Sequence, residues 1–223
     1  MSHLNSPNPP HFIITLNKVD ILTLSGVITS SLAIVAALSG AIYLCTSLLF
    51  LAMLADALDG ILARKFKLER PFGRYLDGFM DTLIYLVAPT LALYVYGFDG
   101  LWALALWPVL ICGSIRLAVF NDIGNIQESN GLAYLGMPVF WSVFILAGFL
   151  LLEFVLPQGL VYGALAVTLS LFSYAMIIRR PFFKFKKLSH ILCLTIGNSL
   201  LFLLLHRKRP AASSHKRSKI ESC

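Results

Sequence analysis

The chain has 223 residues, 58% of them hydrophobic and only 13% charged, with a mean hydropathy of +0.80 and a formal net charge of +7. Soluble domains typically carry about 45–50% apolar and about 25% charged residues, so this composition excludes an ordinary soluble domain and indicates one compact polytopic membrane domain. The cysteines, Cys45, Cys112, Cys193 and Cys223, form no CxxC pair. Neither a disulfide framework nor a zinc site is expected from them, and the closing "ESC" is not a prenylation signal.

In chain order, apolar segments predict helices near 20–39, 41–62, 74–96, 101–120, 134–153 and 159–178, with a seventh candidate at 188–205. Each has roughly the 17–25 residues a bilayer crossing requires, and helices are the default where lipid cannot satisfy backbone polar groups. The first run lacks the basic start and cleavage site of a signal peptide, so it reads as a retained helix. The expected fold class is therefore all-α, a membrane helix bundle with a six-helix core and a possible seventh C-terminal segment. Residues 1–19 read as a juxtamembrane segment, 20–178 as the six-helix domain, 179–206 as a basic loop plus the extra hydrophobic segment, and 207–223 as a basic disordered tail. Pro108 and Pro138 are expected to mark helix irregularities.

Basic residues orient the bundle. Arg64, Lys65, Lys67, Arg70 and Arg74 cluster in one connection, and Arg179, Arg180, Lys184, Lys186 and Lys187 in another. With six helices these fall on one side, which the positive-inside rule makes cytoplasmic. If 188–205 crosses, the basic tail lies on the other side, against that rule; a re-entrant segment broken at Gly197-Asn198 is the alternative. The tail suits an anionic lipid surface, and no nucleic-acid partner is expected. The histidines (3, 11, 190, 206, 215) form no ligand cluster.

One stretch, "DALDGILARKFKLERPFGRYLDGFMD" (56–81), puts four aspartates against apolar sequence. Asp56, Asp59, Gly60 and Ala63 share one helical stripe, and Gly73, Asp77 and Asp81 share another. A short basic loop joins the two, so the stripes end one helix and begin its antiparallel neighbour. An aspartate at mid-membrane costs about 2.5–3.5 kcal/mol, so four would approach roughly 10 kcal/mol if central. Two divalent cations would offset the four charges, and hard carboxylate oxygens suit Mg²⁺ or Mn²⁺. Paired metals on carboxylates point to phosphoryl chemistry. Gly60, Ala63 and Gly73 leave room beside the carboxylates, and Arg64 sits at the rim, able to meet a phosphate oxygen. Small residues on membrane helices usually serve only close packing, but that does not explain their phase with the aspartates.

Residues 56–81 fit D-x2-D-G-x2-A-R-x8-G-x3-D-x3-D in full. The stretch resembles the signature of the CDP-alcohol phosphotransferase (phosphatidyltransferase) family, with no departure at a defining position. The resemblance implies a six-helix core, usually a homodimer, with the site opening to the cytoplasm. It implies that Asp56, Asp59 and Asp77 bind two metals, that Asp81 contributes to a metal and acts as general base, and that Gly60, Ala63, Arg64, Arg70 and Gly73 line the CDP site. The donor would be CDP-diacylglycerol or an ether-lipid analogue, and CMP the product. Segments 20–36, 75–89, 114–121 and 134–139 are similar to stretches of phosphatidylserine synthases. "YLVAP" departs from the "FGVAP" more common there and resembles phosphatidylcholine synthases instead. Serine is the first expectation for the acceptor, with choline, inositol or another small alcohol behind it. Arg116 and Asn121 are candidate acceptor contacts, since Arg offers a bidentate fork to a carboxylate; a topology-anchoring Arg and a loop-capping Asn are the plain alternative. An intramembrane prenyltransferase would need a second Asp-rich motif. A transporter would carry acidic residues along several helices, often with internal repeats. Neither pattern is present.

Overall fold

The computed structural model describes residues 14–124, 126–128, 131–183 and 188–208. Helix α1 (Lys18–Leu38) starts at Asn17, whose Oδ1 accepts the N–H groups of Val19 and Asp20 at 2.9 and 2.8 Å. Asp20 Oδ2 in turn accepts the Asn17 N–H at 2.7 Å. This reciprocal cap satisfies donors that a helix end otherwise leaves open. Asp20, Thr23, Gly26, Ser30, Ala33 and Ala37 form its buried stripe. These are small or short polar residues, which let backbones approach closely in a membrane. α1 packs along α2 (Ile42–Phe66).

α2 ends at Lys67, which adopts the left-handed region (φ 55°, ψ 39°) while Leu68 donates to the Ala63 carbonyl at 2.9 Å. Arg70 is extended, as a residue before proline prefers, and Pro71 opens α3 (Pro71–Asp81) without losing a needed donor. The chain thus turns back within residues 67–70 and sets the two aspartate stripes side by side.

α3 runs without a gap into a wider i→i+5 turn (Thr82–Val87) and then α4 (Ala88–Tyr96). The expected uninterrupted α-helix over 74–96 therefore begins earlier and carries a π segment directly after Asp81. Pro89 accounts for it: a proline has no N–H for the carbonyl four residues back, and its ring crowds that carbonyl. That carbonyl belongs to Tyr85, and Ser142 Oγ donates to it instead. A 3₁₀ turn (Gly100–Ala105) precedes α5 (Leu106–Ile123), so the span expected at 101–120 is α-helical only from Leu106, near Pro108.

The helix expected over 134–153 is corrected. Strands β1 (Ile126–Glu128) and β2 (Gly131–Leu135) form an antiparallel hairpin, to which β3 (Pro181–Phe183) adds along β2. Gly136 then takes φ 76°, donates to the Arg180 carbonyl, and lies so close that an added Cβ would meet the Met176 carbonyl oxygen at 2.3 Å. Helix α6 starts only at Trp141 and ends at Leu152. Its 12 residues rise about 18 Å, short of the roughly 30 Å hydrocarbon core. α7 (Gln158–Ile177) follows.

Residues 188–208 form one unbroken helix, α8 (Leu188–Lys208), with no break at Gly197-Asn198. It begins five residues after β3, which pairs with β2 just beyond the end of α5 that meets Gly78, so it starts at the aspartate end and runs antiparallel to α2. Ser47 Oγ donates to the Ser199 carbonyl at 2.8 Å, Ser199 Oγ donates to the Ser47 carbonyl at 3.1 Å, and the Phe202 ring lies 6.4 Å from Tyr43 and 6.2 Å from Phe50. Its Lys208 end therefore emerges beside the start of α2, at the end of the bundle away from the aspartates. Most of the expected tail, Cys223 and residues 1–13 lie outside the described residues. Among the described residues, six helical segments are long and apolar enough to cross a membrane: Lys18–Leu38, Ile42–Phe66, Pro71–Tyr96, Trp102–Asp122, Gln158–Ile177 and Ile191–Lys208. The all-α, membrane-spanning class holds, with the seventh candidate qualifying and the short α6 not. The core gathers Leu49, Phe50, Ile84, Leu86, Leu93, Phe98, Leu146 and Leu150, all at most 2% exposed, between the two ends.

Candidate active site

The end of α2 and the start of α3 bring carboxylate oxygens of Asp56, Asp59 and Asp77 within 4.8 Å of one another. Asp59 is buried, while Asp56 and Asp77 are half-buried. Three hard oxygens this close, at a helix junction that reaches the surface through Arg64, fit a Mg²⁺- or Mn²⁺-type ion. Asp81, one turn beyond Asp77, lies outside that triple and within electrostatic reach of Asp56, Asp77 and Arg116.

Two hydroxyls from outside the signature meet the carboxylates. Thr23 Oγ1, on α1, donates to Asp59 Oδ2 at 2.5 Å. Tyr85 OH, on the π segment, donates to Asp56 Oδ2 at 2.5 Å. A third partner sits at the rim: Asp20, itself 2% exposed, pairs with Arg70 and ties the start of α1 to the start of α3.

A family model described as CDP-alcohol phosphatidyltransferase matches residues 16–178. The chain belongs to that family. Among curated relatives, the CDP-diacylglycerol–serine O-phosphatidyltransferase of Bacillus subtilis is 34% identical over 123 residues, covering 53% of this chain and 66% of the relative. The protein of the same name from Methanocaldococcus jannaschii is 31% identical over 137 residues, 61% of each chain. A phosphatidylcholine synthase of Rhizobium meliloti is 28% identical over 158 residues, 68% of this chain and 63% of the relative. The chain thus spans less than two thirds of the length of these relatives.

The remaining signature residues of this phosphatidyltransferase-family chain surround the aspartates. The Arg64 guanidinium folds back over Gly60, where an added Cβ would meet Nη1 at 3.5 Å, and lies within electrostatic reach of Asp59 and Asp77. Ala63 is half-buried one turn on. Arg70 lies over the Phe72 ring at 4.9 Å, and its buried Nε has no hydrogen-bond partner among the described residues. An open guanidinium donor of this kind is suited to a phosphate oxygen. Gly73 faces Asp20 and Arg70, at 3.7 and 3.8 Å from where a Cβ would stand.

The two acceptor candidates on α5 are placed differently. Arg116 is 5% exposed, with its guanidinium 4.9 Å from the centre of the Phe120 ring, on the side of the bundle that faces Asp81. Asn121 packs against Gly78, whose missing Cβ would come within 2.1 Å of Asn121 Nδ2. Asn121 therefore fixes the approach of α5 to α3 one residue from Asp77.

Asp20, Thr23 and Tyr85 were not expected as site residues from the sequence. A signal existed for all three: Tyr85 continues the four-residue spacing of Gly73, Asp77 and Asp81, and on α1 Asp20 and Thr23 stand three apart. Polar residues three apart open the inner stripe of an otherwise apolar helix, and buried polar groups need partners.

Proposed function

We propose that this chain transfers a phosphatidyl group from CDP-diacylglycerol, or an ether-lipid analogue, to a small alcohol, L-serine first, with release of CMP. The observation that carries the reading is the Asp56–Asp59–Asp77 triple within 4.8 Å, framed by a complete family signature. Asp56, Asp59 and Asp77, with Asp81 at the margin, would hold two Mg²⁺ or Mn²⁺ ions. Bound there, such ions supply charge neutralisation for a pyrophosphate and its leaving group.

The chain's own groups do the rest. Arg64 and the open Nε of Arg70 bind phosphate oxygens, and Gly60, Ala63 and Gly73 leave the nucleotide room against the α2 and α3 backbones. Asp81 accepts the proton of the acceptor hydroxyl as its oxygen attacks the lipid-side phosphorus. The P–O bond to CMP breaks, CMP carries away the electron pair, and the phosphodiester of the product remains. Arg116 orients the acceptor carboxylate if that acceptor is serine.

A second acceptor, choline, has its own support. A relative named phosphatidylcholine synthase, from Agrobacterium fabrum, is 30% identical over 77% of this chain, a longer match than either serine-named relative. The site would face the cytoplasm, and a homodimer is the expected assembly.

CMP release from CDP-diacylglycerol with Mg²⁺ or Mn²⁺ and a panel of alcohols tests the reading. Release with serine, abolished in Asp81→Asn, is expected. Release with choline alone keeps the chemistry and replaces the acceptor. No release with any alcohol, from folded and metal-loaded protein, overturns the reading.

A further inference from the structure

We infer that Tyr85 is a positioning residue for the metal site, setting the orientation of the Asp56 carboxylate from the π segment between α3 and α4. The inference rests on the reading that Asp56 is a metal ligand. Tyr85 is 2% exposed, and its side chain is among the largest fully buried ones in the protein. A phenol buried in a membrane bundle needs a partner for its O–H, and here that partner is Asp56 Oδ2 at 2.5 Å.

Both ends of Tyr85 are tied. At the backbone, Pro89 cannot serve the Tyr85 carbonyl, and Ser142 Oγ from α6 donates to it. At the ring, the hydroxyl reaches α2. The residue therefore spans from α6 to the Asp56 carboxylate, and the π segment is the device that sets its ring direction. π segments occur mostly as single-turn insertions inside α-helices, frequently at functional sites.

The consequence for Asp56 is geometric. One lone pair of Oδ2 is taken by the phenol, so the carboxylate cannot rotate freely about its Cβ–Cγ bond. Groups that orient a ligand in this way typically contribute 10–100-fold to metal affinity or activity. Thr23 does the same for Asp59 from α1, so two of the three clustered carboxylates are each held by a hydroxyl from a different helix. Asp56 is held through a chain of contacts that reaches α6.

The test uses full-length protein in detergent or nanodiscs, with Mn²⁺ as the probe and free Mn²⁺ read by electron paramagnetic resonance. Tyr85→Phe keeps the ring and removes only the hydroxyl. Mn²⁺ affinity is expected to fall about 10-fold, while the thermal midpoint in EDTA stays at the parent value. CMP-release activity should return toward the parent rate when Mn²⁺ is raised by the same factor. Ser142→Ala, which frees the Tyr85 carbonyl without touching the carboxylates, should weaken Mn²⁺ binding in the same direction. It stands in if Tyr85→Phe does not accumulate. Parent-like Mn²⁺ affinity in the variant that is measured overturns the assignment. A parent protein that binds no Mn²⁺ overturns the metal reading itself, and the two failures are told apart by the parent titration alone.

Discussion

Gly78→Ala is the substitution that most directly probes how α5 holds the aspartate end. The Cβ it adds would stand 2.1 Å from Asn121 Nδ2 and 2.9 Å from Asn121 Cγ, where ordinary contact begins near 3.4 Å. Relief needs a shift of about 1.3 Å between α3 and α5, or a new rotamer for a side chain packed between them. Overpacking of this kind costs about 1–3 kcal/mol. The catalytic cost is separate, because Gly78 adjoins Asp77, and displacement of a reacting group by about 1 Å can lower a rate about 10²-fold. CMP release and thermal unfolding should therefore both decline in Gly78→Ala. The double variant Gly78→Ala/Asn121→Ala removes the clash and should recover most of the loss, which makes the pair a double-mutant cycle with a large coupling term. Asn121→Ala alone separates the two readings of that residue. If Asn121 contacts the acceptor, the acceptor KM rises; if it only spaces the helices, KM holds. Parent-like activity and stability in Gly78→Ala would refute the packing argument, and a double variant no better than the single would show that Asn121 is not the obstacle.

Asp20→Asn keeps an acceptor oxygen for the α1 cap but removes the charge that holds Arg70. Because Arg70 is partly exposed, the pair contributes no more than about 1 kcal/mol, so the KM for CDP-diacylglycerol should rise at most about fivefold with the acceptor KM unchanged; equal shifts in both KM values would count against a donor-side role. The antiparallel course of α8 along α2 places Lys208 and the 67–70 turn at opposite ends of the bundle. In a cysteine-free background, Lys67→Cys and Lys208→Cys should each react with an impermeant thiol reagent from a different face of the membrane, and labelling of both from one face would show that α8 does not cross.

The spans were legible because a bilayer makes one strong demand, a long apolar run, and six segments among the described residues meet it. The same measure fails over 134–153. "YLGMPV" is as apolar as a helix, so hydropathy does not separate the end of β2 from the start of α6. What separates them is backbone conformation: Gly136 at φ 76° and Pro138 before Trp141. Gly-x-Pro inside an apolar run was the available mark of a boundary. The α8 question was undecidable from charge, because the positive-inside rule weighs the basic tail against a crossing. What the structure adds is that α8 packs on α2, through reciprocal hydrogen bonds between Ser47 and Ser199 that cannot be read from residues 152 apart in sequence.

The site divides along the same line. Asp56, Asp59, Asp77 and Asp81 were legible because helical spacing alone puts them on facing stripes, and lipid makes every unneeded carboxylate costly. Thr23, Tyr85 and Asp20 were not, because each acts across the bundle, on residues 36, 29 and 50 positions away. Tyr85 continues the four-residue spacing of Gly73, Asp77 and Asp81, but that spacing does not say which α2 carboxylate it meets, and no periodicity links Thr23 or Asp20 to the signature. The nearest clue was Pro89, a proline inside a span, which forces a backbone irregularity but does not say which side chain the irregularity will redirect. That gap has a physical meaning. The signature supplies the charges, which the chemistry dictates. The groups that aim those charges depend on how neighbouring helices pack, and several different residues can supply one hydroxyl to one carboxylate. Acceptor choice belongs to this second kind of information. Arg116 faces Asp81 from α5, where it can either orient a serine carboxylate or offset the Asp81 charge. The signature is silent between those roles, because both need the same guanidinium in the same place.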